Sequence, residues 1–306
     1  HQAMSQKMYS MLTKVSSQTA FIVPEILAMD EAVLEGYYKE LPELELYRKQ
    51  IEEIERTKAH TLSAEMEKLV AMGAITPEAD RYLKGLVEAK YNIFISGGTG
   101  AGKTTFLNIL SNYIPVSERI ITIEDSAELQ IQNIENIVRM ESRNANVEGK
   151  NQVTIRDLIR SALRMRPDRI VVGEIRDATA IDMLTAMNTG HDGSLSTGHA
   201  NSPKDMLNRL ETLVLMGMDI PLPAIRQQIS SAIDIIVHLG RLRDRSRKVL
   251  EICEVGNVVE GEIEVFPIFT FCELGEEEGR ILGTLERTGH VLCSMDKCRR
   301  AGVNLS

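Results

Sequence analysis

The run Gly97-Gly98-Thr99-Gly100-Ala101-Gly102-Lys103-Thr104 has the residue types and spacing to hold a polyphosphate. It meets the pattern G-x-x-x-x-G-K-[ST] at every fixed position, which chance supplies in roughly one 300-residue chain in a hundred at average residue frequencies. Glycines let the backbone curl until several N–H groups face one anion, and the positive end of the following helix adds to that field. Gly98, Thr99, Gly100, Ala101 and Gly102 therefore offer backbone donors, with Thr105 just beyond them. Lys103 is placed to reach the β- and γ-phosphates of ATP, and the Thr104 hydroxyl to ligate Mg²⁺.

Hydrolysis requires a group that orients or deprotonates water, and a metal site. Ile170-Val171-Val172-Gly173-Glu174 is an apolar strand ending in a carboxylate, and in a parallel sheet such an end borders the ligand crevice. Glu174 is the candidate catalytic base. The plainer role is capping the next helix or pairing with Arg176. Gly173 stands where many phosphate-loop ATPases carry a metal-holding Asp. Glu124, Asp125 and Glu128 are the available substitutes, with Glu124 expected at the reacting centre and Asp125 and Glu128 joining Thr104 at the metal.

His191 and His199 flank Asp192-Gly-Ser-Leu-Ser-Thr197. Position 199 follows a strand, where a side chain can sense the γ-phosphate; a structural hydrogen bond is the plain alternative. Arg139, Arg143, Arg156, Arg160, Arg164, Arg166, Arg169 and Arg176 supply cations for transition-state charge, and the sequence singles out none of them. The basic run Arg241, Arg243, Arg245, Arg247, Lys248 reads as a solvated hairpin turn, and Glu276-Glu277-Glu278 as another.

The elements that must carry these groups follow from patterning. Tyr91–Ser96 is a short apolar strand before the glycine loop, and Thr105–Leu110 a helix after it. Two helices are expected in 61–90, the second entered by Thr76-Pro77 as cap and first turn. A strand at Arg119–Ile123 leads into the acidic cluster. Thr154, with Asp157 three residues on, opens a further helix as a capping box. Arg169–Val172 is a buried strand, Asp177 caps a helix closed by Gly190, and a short strand lies near Ser194–Thr197. Strands alternating with helices predict an α/β fold whose parallel sheet is covered on both faces. Residues 204–234 read as helical, then Ile235–Leu239, Val249–Val255 and Glu262–Phe271 as strands.

Bulk properties set outer limits. The chain has 306 residues, with 43% hydrophobic and 26% charged, ordinary values for a globular protein. A net charge of −9 argues against a duplex nucleic-acid binder. No apolar run nears the length of a membrane span, and no basic and apolar leader is seen at the N-terminus, which begins His1-Gln-Ala-Met4. Cys293 and Cys298 with His290 raise a metal site, but the spacing favours free, reduced thiols, in keeping with a cytosol.

Four segments occur in one order: Gly97–Thr105, Ile121–Leu129, Leu163–Asp177 and Asn188–Ser202. Together they resemble the Walker A motif, acidic box, Walker B motif and histidine box of the type II/type IV secretion and pilus ATPases, most of all the tight-adherence (Flp) pilus assembly branch. The resemblance covers about residues 62–306. It implies a RecA-like P-loop core, Mg-ATP hydrolysis coupled to movement, a homo-hexameric ring and docking on an inner-membrane platform protein. It also implies a catalytic glutamate at Glu174 with the preceding Gly normal, and a cytoplasmic protein peripheral to the inner membrane. Residues 1–61 depart from the family: Phe21–Leu27, Leu44–Arg48 and His60–Ala64 resemble an oligoendopeptidase F fragment, expected to be helical. The zinc motif H-E-x-x-H of that peptidase is absent from the chain, so no peptidase chemistry is expected. The sequence thus points to ATP hydrolysis, with Glu174 activating water and His191 and His199 coupling nucleotide state to movement. The alternatives are a core that binds nucleotide without turning it over, and a small-molecule kinase.

Overall fold

The computed structural model describes residues 65–305, apart from 133, 146, 148 and 149. The expectations for residues 1–61 lie outside the described residues. After a helical stretch at 65–71, the elements are α1 (Pro77–Glu88), β1 (Ile93–Gly97), α2 (Lys103–Ser111), β2 (Arg119–Glu124), β3 (Asn136–Glu141) and α3 (Ile155–Leu163). Next come β4 (Arg169–Val172), α4 (Ala180–Asn188), β5 (Leu195–Gly198), α5 (Pro203–Leu215) and α6 (Leu222–Ala232). The chain ends in β6 (Ile235–Arg241), β7 (Arg247–Val259), β8 (Glu262–Glu277), β9 (Arg280–Arg287) and α7 (Asp296–Ala301).

One nine-stranded sheet has the order β3-β2-β4-β5-β1-β6-β7-β8-β9. From β3 to β6 the pairs are parallel, and from β6 to β9 antiparallel. The α/β reading therefore holds, and the meander at the C-terminal end extends the same sheet. Two strands escaped the sequence. β3 is an edge strand with a half-exposed, charged pattern, and β9 alternates Arg, Leu, Thr and Glu around a glycine. The expected acidic turn at 276–278 is instead the end of β8 plus its turn, with Glu276 paired to Arg243.

Period-two alternation along the strands builds two cores. Ile93, Ile95, Val171, Leu195, Ile235 and Val237 face α1 and α2, while Phe94, Ile121, Ile123, Ile170, Val172 and Ile236 face α3 to α6. Each fully buried aliphatic side chain contributes about 1.5–3 kcal/mol. Caps set the helix entries. The Thr76 side chain accepts from Ala79 N with Pro77 beginning α1, and Thr154 and Asp157 form the reciprocal box of α3. Asp177 does not cap α4. Its Oδ1 accepts from Thr179 N at 2.8 Å and Thr179 Oγ1 at 2.6 Å, closing the turn before the helix begins at Ala180.

Arg169 departs most from its expected role. Its side chain is fully buried, bonded by Nε and Nη2 to Glu118 at 2.5 and 3.0 Å, and by Nη1 to Val87 O at 2.7 Å. It is a structural clamp tying β4 to α1 and is shut away from any transition state. Replacing one partner strands the other's charge. Arg169→Met is expected to cost about 3–5 kcal/mol in urea denaturation. The double variant with Glu118→Gln should recover part of that loss, and a single-variant loss under about 1 kcal/mol would show that the pair is dispensable.

Candidate functional site

Parallel strands all end on one edge, and the expected chemistry collects there. β1 runs into the glycine loop, β2 ends at Glu124, Glu174 follows β4 by two residues, and His199 follows β5 directly. Backbone bonds hold these ends in step: Gly173 N donates to Ile123 O and Ile175 N to Thr197 O, each at 2.9 Å, and Thr197 Oγ1 donates to Gly173 O at 2.7 Å.

Gly97 lets the loop leave the sheet, since a Cβ there would stand 2.5 Å from the Leu239 carbonyl oxygen. Gly102 precedes α2 with φ +96°, left-handed backbone open to glycine at least cost. Over Gly98 and Gly100 a Cβ would meet nothing within 4 Å, so the upper face of the loop has room for a ligand. Lys103 begins α2 and is 8% exposed. Its Nζ lies 3.2 Å from Gly97 O and Gly98 O and 3.3 Å from His199 Nδ1. Burial pushes its pKa down, opposed by the charge of Glu174.

His199 stands between the cation and the carboxylate. An ammonium only donates, so Nδ1 accepts and the ring proton sits on Nε2. Nε2 is 2.9 Å from Glu174 Oε1, but its N–H misses the oxygen, and Oε1 is buried without an aligned hydrogen bond. Burial, then the neighbouring Lys103 charge, lowers the His199 pKa, so the imidazole is neutral near pH 7. Glu174 Oε2 accepts from Arg176 at 2.8 Å, so the plain pairing with Arg176 is present.

Of the acidic cluster only Glu124 turns inward. It is buried, its Oε1 accepts from Glu128 N and Leu129 N at 3.0 and 2.8 Å, and burial raises its pKa. Gly173 makes room for it, because a Cβ there would lie 3.2 Å from Glu124 Cγ. Asp125 and Glu128 are exposed, with Asp125 turned to Ser142 Oγ at 3.0 Å and to Arg176 at 3.8 Å. Thr104 is half-buried in the first turn of α2 and Thr105 is exposed. His191 precedes β5, at the opposite edge of the sheet, with Nδ1 3.3 Å from Ala186 O, and is not brought to Lys103 or Glu174.

The residues present fit a nucleotide phosphate and a divalent cation. Lys103 is a buried ammonium bonded to carbonyls and a neutral ring, and Glu174 Oε1 is buried with no aligned hydrogen bond, 2.9 Å from His199 Nε2. Thr104 and Glu124 are the groups that would hold Mg²⁺.

Sequence reasoning missed two neighbours. Arg247 Nε donates to Gly100 O at 2.8 Å, laying the β6–β7 hairpin on the phosphate loop. The basic run is tied down: Arg243 bonds Glu273 at 2.5 and 2.9 Å, and Lys248 bonds Gly73 O at 2.7 Å. The run spans the turn between β6 and β7, and no local signal in it points to the glycine loop. The second neighbour is His238, 6% exposed on β6, with Nδ1 2.8 Å from Oγ of Ser96, the residue before the loop.

The sequence profile of the family described as "Type II/IV secretion system protein" matches residues 22–289. The match starts inside the segment with the peptidase-like sequence. A Mycobacterium tuberculosis protein provisionally named for conjugal transfer is 41% identical over 201 residues, 66% of this chain and 56% of that protein. The type IV secretion system protein PtlH of Bordetella pertussis is 38% identical over 179 residues, 56% of this chain and 52% of PtlH. The VirB11 ATPase from the Brucella suis type IV secretion system, solved with sulphate, superposes with TM-score 0.53 at 31% identity, covering 63% of this chain and 57% of that one. The chain spans about half the length of the curated relatives it matches.

His238 yields a pH test. Burial lowers its pKa below the ordinary 6.5, against smaller opposing effects of Asn201 and Asp205. Below about pH 6.5 the unfolded chain takes up a proton that the native chain refuses, so stability falls as pH falls. His238→Asn should flatten the fall between about pH 6.5 and 5.5, by up to about 1.4 kcal/mol per pH unit, in denaturant midpoints. An unchanged slope would mean His238 is solvated.

Proposed function

Since the chain belongs to the type II/IV secretion system protein family, we propose that it is a secretion-motor ATPase that hydrolyses Mg-ATP at the Lys103–His199–Glu174 edge. The observation that carries the reading is the buried Oε1 of Glu174, 2.9 Å from His199 Nε2 and one imidazole away from the Lys103 ammonium. Backbone N–H groups of Gly98 to Gly102 and Lys103 bind the phosphates, and Thr104 with Glu124 holds the metal. Mg²⁺ held there would supply charge neutralisation for the phosphates.

Glu174 Oε1 orients a water toward the γ-phosphorus and takes its proton as the P–O bond to ADP breaks. Arg176 holds the other oxygen and thereby the carboxylate's direction. His199 spans the phosphate-side cation and the base, which suits it to report the γ-phosphate to β5 and the helix beyond it. His191, at the far edge, is set aside from that role. A homo-hexameric ring, docking on an inner-membrane platform protein and service to a tight-adherence pilus remain parts of the proposal that rest on the family resemblance. No helix among the described residues is long and apolar enough to cross a membrane.

Glu174→Gln is the direct test. ATP affinity should stay within about twofold while phosphate release drops by about 10²–10⁴, the usual worth of a general base. Binding with no release in the unaltered chain would favour the non-hydrolysing alternative, and phosphate release without any added acceptor counts against a kinase. Ring formation is checked separately. Specific ATPase activity should rise with protein concentration, and a strictly monomeric mass by light scattering in Mg-ATP would exclude the ring.

A further inference from the structure

A second constellation lies on the antiparallel part of the sheet, away from the phosphate loop. Glu254 on β7 is buried, and opposite it in the β7–β8 register stands Phe266. The His290 ring stacks on Phe266 at 4.9 Å between centroids with 13° between planes. Its Nε2 is 2.6 Å from Glu254 Oε2. The chain then returns so that Cys293 N donates to both Glu254 oxygens at 2.9 and 3.0 Å. The imidazole, carboxylate and thiol ligand atoms all lie within 4.8 Å of one another.

The sequence had pointed to Cys293, Cys298 and His290. The structure replaces one of them. Cys298 is buried beside the Tyr91 hydroxyl at 3.4 Å, and Glu254, 36 residues before His290, takes its place. No spacing rule could reveal that ligand, because a β-strand pairing delivers it.

We infer that Glu254, His290 and Cys293 form a binding site for a borderline-soft divalent cation, with zinc the best match. One N, one S and one O donor suit Zn²⁺, with bonds of about 2.0–2.3 Å and tetrahedral ligand separations of about 3.3–3.6 Å. The His290–Glu254 separation of 2.6 Å would have to open by about 1 Å for both to bind one ion, and all three ligand atoms already lie within 4.8 Å of one another. The stacked Phe266 fixes the His290 ring plane, and the Cys293 amide bonds orient the carboxylate, the support that metal ligands ordinarily receive. Cys293 is exposed, which leaves an entry path and a fourth position for water. On binding, the Cys293 thiol releases its proton to solvent, His290 binds as the neutral ring and Glu254 as the carboxylate.

The test uses the full chain with cobalt and zinc as the only probes. Cobalt should produce a thiolate charge-transfer band in the near ultraviolet at one equivalent, displaced stoichiometrically by zinc. Cys293→Ser should abolish the band and weaken zinc binding at least about 100-fold, and His290→Gln should weaken it comparably. Cys293→Ser removes only an exposed thiol, so it keeps the test sound if the His290 variant folds poorly. Absence of the band, its persistence in Cys293→Ser, or zinc binding weaker than about 10 μM would overturn the site and leave a His–Glu clasp only.

Discussion

The buried ammonium of Lys103 sets the terms for everything around it. A cation removed from water must find oxygen donors or a negative charge nearby, or lose its proton. Here it finds two loop carbonyls, the unprotonated nitrogen of a neutral imidazole and the field of Glu174. Those partners come from three elements far apart in the chain, so the cation also acts as a gauge of whether the strand ends are in register. The same strain between burial and charge makes the pocket an anion site, because a phosphate satisfies what carbonyls satisfy only in part.

Holding that edge in step is the work of the sheet. Two hydrophobic cores grip it from either face, and polar stitches lock its other end. Asn92 accepts from Gly193 N and Ser194 N at 2.8 and 3.0 Å and donates to Ala232 O at 2.7 Å. Arg169 anchors the same end to α1, with Gly193 kept small because a Cβ would come within 2.6 Å of the guanidinium. Charge is thus spent on architecture at one edge and reserved for ligands at the other. The glycine at 173 belongs to the second group, since its missing side chain is the space that Glu124 occupies.

The antiparallel meander adds what a minimal parallel core would lack. Its first hairpin rests Arg247 on the phosphate loop, and Glu254 of β7 meets His290 and Cys293 from the segment after β9. One hydrogen bond thus ties the glycine loop to the antiparallel ribbon.

Local chemistry was legible in the residues themselves. The glycine loop, the strand before it and the helix after it needed only the bend of glycine and the apolar runs on either side. The capping box at Thr154 and Asp157 and the Thr76-Pro77 entry were equally local, and Glu174 stood out because a carboxylate ends an otherwise apolar strand. Tertiary structure decided the matters that depend on what comes to lie beside what. It split the two histidines, because β5 runs between them and carries His199 to the ligand edge and His191 to the opposite one. It turned Glu124 inward and left Asp125 and Glu128 in solvent, since only the first is still within the strand's buried alternation. It buried Arg169 as a clamp, seated Arg247 on the loop and supplied Glu254 to His290. Each of these rests on strand pairing across tens of residues, a long-range choice that no window of sequence contains.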